Sequence, residues 1–432
     1  MKLSCSTISL LFFSIFLTLS VIAQEDTNLF LYGDALPDAP ELSTRGAYHV
    51  GVQTVSFVNR GQIDILNSKD GVDPIYDRPI KVEVWYPSNL PQGTKALVTY
   101  EEVMGTANNP NRPLIPFTFQ GRALRNAVPI NPDTPFPLVI VSHGYVGSRF
   151  LMTYLTENLA SKGYVVVAID HTESTYRDAA PFPSTLLNRA KDILFILEEV
   201  ANLGTAQAGL LSGLVDANNT GIIGYSMGGY GALNAAGAGY SDDAIQFFQG
   251  MTKGSNALAV RGSSHENYQA SIDPRIKAVV AFAPWGMKTK VWDLEGLKGL
   301  KVPTFFVAGS QDDISGYEDG IKAIYEGAIN ADRYLLTYRN ARHNVAPNPP
   351  PPAALAPGLH IDEYYRYAEP SWDQRRINNI NQHFVTAFLG THLKQANFGK
   401  YLNLTPNSNE ETWEGFKPRS SVGLELLHAV AN

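Results

Sequence analysis

The residues whose types and spacing can do chemistry stand in the run Gly224-Tyr225-Ser226-Met227-Gly228-Gly229. This run follows the apolar stretch Gly221-Ile222-Ile223-Gly224 and opens a small-residue segment over 227–237. The pattern predicts a strand, a sharp turn and a helix, with the Ser226 hydroxyl presented at the turn as a nucleophile. Glycines at 224 and 228 suit a turn so tight that a side chain at either would strike the neighbouring strand or helix. The helix N-terminus would aim free N–H groups and its positive end at the reaction centre.

A serine hydroxyl is a weak nucleophile at neutral pH, so it needs a base within hydrogen-bond reach and a third group to hold that base. Of the nine histidines, His343 follows the last predicted strand, in Arg339-Asn340-Ala341-Arg342-His343-Asn344, and is the candidate base. His49 precedes the predicted sheet, His143 stands before the serine, and His383, His392 and His428 fall in the C-terminal region. The acid is expected at the end of the strand over 302–308, in Gly309-Ser310-Gln311-Asp312-Asp313, with Asp312 preferred to Asp313. Acyl transfer also demands N–H donors aimed at a developing oxyanion. Met227 supplies one immediately after the nucleophile, and Tyr145, in the turn Ser142-His143-Gly144-Tyr145-Val146-Gly147-Ser148, is expected to supply the other. His143 in that turn reads as a buried histidine that holds the loop by hydrogen bonds.

Nothing in the sequence asks for a cofactor or a metal. Asp170-His171-Thr172-Glu173 and His360-Ile361-Asp362-Glu363 lack zinc-site spacing and are expected to serve loop hydrogen bonding. No Gly-rich phosphate loop follows a strand. The aromatic cluster Tyr364-Tyr365-Arg366-Tyr367 reads either as a surface-covering loop or as a stacking surface for a sugar or aromatic acyl group.

The elements that must position these groups alternate. Short apolar runs at 80–86, 138–141, 164–169, 221–224, 276–282, 302–308 and 334–338 are predicted strands, several of them continuous, as in strands covered on both faces. Segments 149–161, 184–203, 227–237 and 317–327 read as helices between them, and a further helix is expected over 372–395. This order predicts an α/β fold with a mostly parallel, doubly wound sheet, the 80–86 strand being antiparallel near an edge. Three excursions, 99–137, 238–274 and 346–370, interrupt the alternation and are placed on the rim of one domain running from 24 to 432. Residues 371–432 form the C-terminal helix and tail.

With 34 Lys and Arg against 41 Asp and Glu and no block of like charge, the chain has no electrostatic footprint for nucleic acid or an anionic membrane. Lys2, the apolar stretch 10–17 and Val21-Ile22-Ala23 read as a signal peptide over 1–23, which predicts a secreted or periplasmic protein without a stable membrane span. The single cysteine, Cys5, would leave with that leader, so the nucleophile must be a hydroxyl.

Val141-Ser142-His143-Gly144, Leu159-Ala160-Ser161-Lys162-Gly163-Tyr164, Ala168-Ile169-Asp170-His171 and the Ser226 turn together resemble the α/β-hydrolase superfamily, in particular its dienelactone-hydrolase-like and plasma-type platelet-activating-factor acetylhydrolase group. The order Ser226, Asp312, His343 is the one that fold uses. His143-Gly144-Tyr145, Tyr225-Ser226-Met227-Gly228-Gly229 and Ala283-Pro284-Trp285 are also similar to bacterial cutinase-like polyesterases. The resemblance implies a roughly eight-stranded sheet with helices on both faces and carboxylic ester hydrolysis of a small-molecule or polymeric substrate. Tyr145 would also serve as an aromatic wall and Trp285 as a ring platform beside the ester. The chain departs from these families in its excursions at 238–274 and 346–370 and in lacking a cysteine for the polyesterases' C-terminal disulfide. An amidase or peptidase, or a non-catalytic binding protein, would be the alternatives on the same fold.

Overall fold

Six consecutive parallel strands form the centre of the sheet, and their sequences explain why: outside the polar stretch 216–220, nearly every residue is apolar and buried, as a strand covered by helices on both faces requires. In a computed structural model, which describes residues 30–432 apart from Asn267, these are β7 (Phe136–Ser142), β8 (Val165–Asp170), β9 (Val215–Tyr225), β10 (Ile276–Phe282), β11 (Thr304–Gly309) and β12 (Arg333–Tyr338). Four more strands precede them on the far side: β1 (His49–Ile63), β2 (Ile75–Asn89), β5 (Leu124–Arg125) and β6 (Val128–Pro129); β13 (Leu424–Ala429) closes the near edge. The sheet has eleven strands in the order β13-β12-β11-β10-β9-β7-β8-β2-β1-β5, with β6 paired to β2. β2 runs antiparallel to β8 and β1, and β13 antiparallel to β12.

The expected count of about eight strands is therefore too low. The seven strands read from the sequence are all present, and the additional ones lie toward the edges. His49, expected ahead of the sheet, opens β1. Half of β1 faces solvent, so its sequence alternates between apolar and polar residues and lacks the continuous apolar run of a central strand.

Helices α1 (Thr153–Ser161) and α8 (Gln374–Lys394) pack together on one face of the sheet, α2 (Phe182–Thr205) and α3 (Met227–Ala235) on the other. The shorter α4 (Asp242–Met251), α5 (Leu294–Leu297), α6 (Ala323–Gly327) and α7 (Ile361–Tyr365) sit in or beside the excursions. The excursion at 99–137 is only partly a rim feature. Its β3 (Val98–Met104) and β4 (Ile115–Gly121) make a two-stranded sheet, and Tyr100 is buried, accepting a bond from Trp85 Nε1 and donating to Glu157, both at 2.8 Å. Residues Leu31–Asn432 form one compact unit; the leader expected over 1–23, with Cys5, lies outside the described residues. Among the described residues no helix is long and apolar enough to cross a membrane.

Candidate active site

Ser226 sits between the end of β9 and the start of α3 with φ 53° and ψ −115°, a conformation a non-glycine residue adopts only where its surroundings enforce it. Those surroundings are tight. A Cβ on Gly224 would come within 2.2 Å of the Gly228 carbonyl oxygen, and one on Gly228 within 1.9 Å of the Ser142 carbonyl oxygen. Glycine at both positions lets the end of β9, the first turn of α3 and the end of β7 close on one another.

The loop after β12 brings the base. His343 Nε2 lies 3.0 Å from Ser226 Oγ, and His343 Nδ1 lies 2.8 Å from Asp312 Oδ2 at the end of β11. Burial pushes the Asp312 carboxyl up, but the hydrogen bond and charge of His343 and the N–H groups of Ser315 and Ile314 outweigh it and hold the group below the usual carboxylate range. Asp313 faces outward and pairs with Arg342. The chain thus brings Ser226, His343 and Asp312 into one hydrogen-bonded line, and Asp313 stands outside it.

The turn after β7 lies against the serine from the other side. A Cβ on Gly144 would meet Ser226 Cβ at 3.4 Å, so the 144–145 backbone passes beside the nucleophile. The Met227 N–H opens α3 and is one of the four that have no acceptor inside their own helix. His143 is buried, with Nδ1 2.6 Å from the Gly144 carbonyl and Nε2 accepting from the His171 N–H at 3.2 Å. Burial, first, and the Arg189 charge push its imidazole well below the ordinary histidine value, so it is neutral and holds the turn. His171 bonds the Ser142 hydroxyl at 2.8 Å and Asp192 at 2.9 Å.

A cavity of about 350 Å³ opens beside Ser226 and His343, bordered by Tyr145 and Val146, by Ile314 and by residues 362–370 of the third excursion, with Arg112 reaching in from the first. Among the described residues, the excursion at 238–274 contributes nothing to this lining. Trp285 does not line the cavity either. Its backbone N–H donates to the Ser226 carbonyl at 3.2 Å, and its half-buried ring continues a row of aromatic rings, 5.2 Å from Phe182, which is 5.8 Å from Tyr145.

The PET hydrolase-like family matches residues 125–248, a stretch that includes Tyr145, Ser226 and Met227 and ends before Asp312 and His343. The cutinase est1 of Thermobifida alba is 25% identical over 217 residues, 50% of this chain and 56% of that protein. A bis(hydroxyethyl) terephthalate hydrolase of Streptomyces coelicolor is 24% identical over 212 residues, 49% of this chain and 51% of that one. The chain spans little more than half the length of these two relatives. A ferulic acid esterase from Streptomyces cinnamoneus superposes with a TM-score of 0.52 at 19% identity, covering 83% of this chain and 94% of that one. The chain has the α/β-hydrolase fold. It resembles cutinase-like polyesterases.

Three groups around this site escaped the sequence reading. Glu369 accepts the N–H groups of Arg342 and Asn344, each at 2.7 Å, and so grips the backbone on both sides of His343. Arg189, buried, holds the Ser142–Ser148 turn by donating to the carbonyls of His143 and Gly144. Phe182, between two prolines, opens α2 and joins Tyr145 to Trp285. Pro at the first turn of a helix is a start signal that would have placed Phe182 on α2; the contacts of Glu369 and Arg189 leave no trace in local sequence.

Proposed function

We propose that the protein is a serine-dependent carboxylic ester hydrolase that works through an acyl-enzyme on esters of short or small acyl groups. The observation that supports this best is the hydrogen-bonded line from Ser226 through His343 to Asp312 on a strained strand-to-helix turn. In this reading His343 Nε2 takes the Ser226 proton as the oxygen attacks the ester carbonyl, and the N–H groups of Met227 and Tyr145 stabilise the oxyanion. Protonated His343 gives its proton to the departing alcohol, and water activated by the same imidazole then hydrolyses the acyl-enzyme. Asp312 holds Nδ1–H and fixes the tautomer throughout. The relatives' names, cutinase, bis(hydroxyethyl) terephthalate hydrolase and ferulic acid esterase, describe ester hydrolases and support the reaction class. The leader over 1–23 supports action outside the cytoplasm.

A polymeric ester is the second reading, favoured by the row Tyr145, Phe182, Trp285 beside Ser226. Turnover of a short-chain nitrophenyl ester tests the main proposal. Ser226→Ala is expected to lower kcat by at least about 10⁴-fold with an unchanged melting temperature, and an organophosphonate should label the parent protein at Ser226. A folded Ser226→Ala protein that keeps its turnover overturns the proposal.

A further inference from the structure

The cavity beside Ser226 is lined by three guanidinium groups, Arg112, Arg342 and Arg366, and three carboxylates, Asp313, Asp362 and Glu369. Every carboxylate is engaged. Asp313 is held by Arg342 Nε at 3.1 Å, Asp362 by Arg112 at 3.3 Å, and Glu369 by the two backbone N–H groups beside His343. Arg112 also holds Glu363 through Nε at 2.7 Å, and Glu363 in turn accepts the Gly105 N–H at 2.8 Å.

Arg366 differs from its two neighbours. It is half-buried, yet among the described residues no carboxylate lies in ion-pair range of it. Nη1 donates to the Val146 carbonyl at 2.8 Å, the guanidinium centre lies 5.0 Å from the Tyr176 ring, and Nε is buried without a partner. Arg366 lines the same cavity as Ser226 and His343, so the cation stands close to the reacting groups. Among the described residues its direct contacts are a carbonyl and a ring, with the Glu363 carboxylate acting on it only from beyond ion-pair range, so the guanidinium keeps capacity for a further anion, and it is the side chain best shaped to take a carboxylate.

We propose that Arg366 forms a carboxylate subsite of the Ser226 cavity, so that the substrates this protein takes best are esters bearing a free carboxylate, such as the half-esters of dicarboxylic acids. This rests on the ester-hydrolase reading above. The chemistry is self-consistent: cleaving one bond of a diester leaves a half-ester, whose new carboxylate Arg366 would hold while Ser226 attacks the remaining ester.

The test compares para-nitrophenyl butyrate with mono-para-nitrophenyl glutarate, a neutral and an anionic ester of similar length. The readout is the ratio of their kcat/KM values, each divided by the probe's own hydroxide hydrolysis rate, so that any general damage in a variant cancels. The parent protein is expected to favour the anionic ester by about tenfold at low salt, the size a charge-assisted hydrogen bond supplies, and added salt should erode that preference. Arg366→Leu should abolish the preference and Arg366→Lys should keep part of it. A purely structural role through Val146 would slow both esters alike and leave the ratio unchanged. A parent ratio at or below one, or a ratio that Arg366→Leu does not move, overturns the subsite, and the parent ratio with its salt dependence decides alone if the variant does not fold. Turnover of neither probe by Ser226 would instead overturn the reading under which the subsite was proposed.

Discussion

The two walls of the Ser226 cavity are held in place by different forces. On one side Ser226, Asp312, His343 and the Ser142–Ser148 turn stand at the carboxyl ends of β9, β11, β12 and β7, in a parallel ladder buried on both faces. The spacing of those strand ends is set by the backbone hydrogen bonds of the ladder, and side chains fix only the loops beyond them, Arg189 and His143 at the turn after β7 and Glu369 beside His343. On the other side Arg112, Asp362, Tyr365, Arg366 and Ala368 stand on irregular segments tied down by individual side chains. Asn344 Nδ2 holds the carbonyls of Tyr365 and Ala368, Arg366 holds Val146, and Glu363 joins Arg112 to the Gly105 N–H. On the proposed reading the reaction is built where the fold is over-determined, and selectivity where a substitution can change a pocket without disturbing the sheet.

The largest effect should separate two adjacent acids on the rigid wall. Asp312→Asn keeps a side chain of the same shape but removes the acceptor that fixes the His343 tautomer, so kcat on a short nitrophenyl ester should fall by roughly 10³–10⁴-fold. Asp313→Asn removes only an exposed pair with Arg342 and should cost no more than about threefold in kcat/KM. Comparable losses in the two variants, measured side by side, would mean that the ladder does not define the acid.

That asymmetry also explains what was legible in the sequence. A central parallel strand must be apolar throughout, and the run 276–282 coincides with Ile276–Phe282, while 138–141 falls inside Phe136–Ser142. Ser226, His343 and Asp312 were legible for a related reason: few residue types can perform their roles, and each follows a strand. β1 and β13 were missed because an edge or half-exposed strand mixes polar residues into its pattern. Glu369 was invisible because it acts on N–H groups 25 and 27 residues away through a loop whose course no local spacing encodes. Arg366 sat in a segment read either as a covering loop or as a stacking surface, and its contacts with Val146 and Tyr176 join it to residues some 220 and 190 positions away that no local spacing encodes.

The rigid wall and the first excursion, which at Glu102 lies outside this part of the cavity, should also differ in the sign of their response to pH. Asp312 titrates below its ordinary value, so the stability it contributes is present above the unfolded carboxyl's pKa and is lost as pH falls through the folded one. Glu102, on β3 of the first excursion, behaves oppositely. Burial, first, and nearby Asp170 push its carboxyl up to about 7 against the Ser148 hydroxyl, the Val103 N–H and Arg149. Between the unfolded value near 4.5 and about 7 the folded state binds a proton that the unfolded state has released, so stability must decline as pH rises through this window. The decline attributable to Glu102 is on the order of 2–3 kcal/mol. Denaturant melts from pH 4.5 to 8 should show a smaller slope for Glu102→Gln; an unchanged slope would remove Glu102 as its cause.

The smallest effect tests where the division between the walls breaks down. Glu369 belongs to the irregular segment, yet its carboxylate receives the N–H groups on either side of His343 and so positions a residue of the rigid wall. Glu369→Ala leaves those two donors without their acceptor and lets the loop after β12 drift, which should lower kcat by about tenfold, since sub-ångström losses of alignment are felt mainly in the chemical step. KM should stay within about twofold, because substrate contacts are not removed, and Glu369→Gln, which keeps one carbonyl acceptor, should restore part of kcat. A variant that only loses melting temperature, with kcat intact and no rescue by Gln, would show that Glu369 merely packs the segment. The geometry argues against that outcome: of all the tethers on the irregular wall, this is the one whose two hydrogen bonds end on the backbone flanking His343.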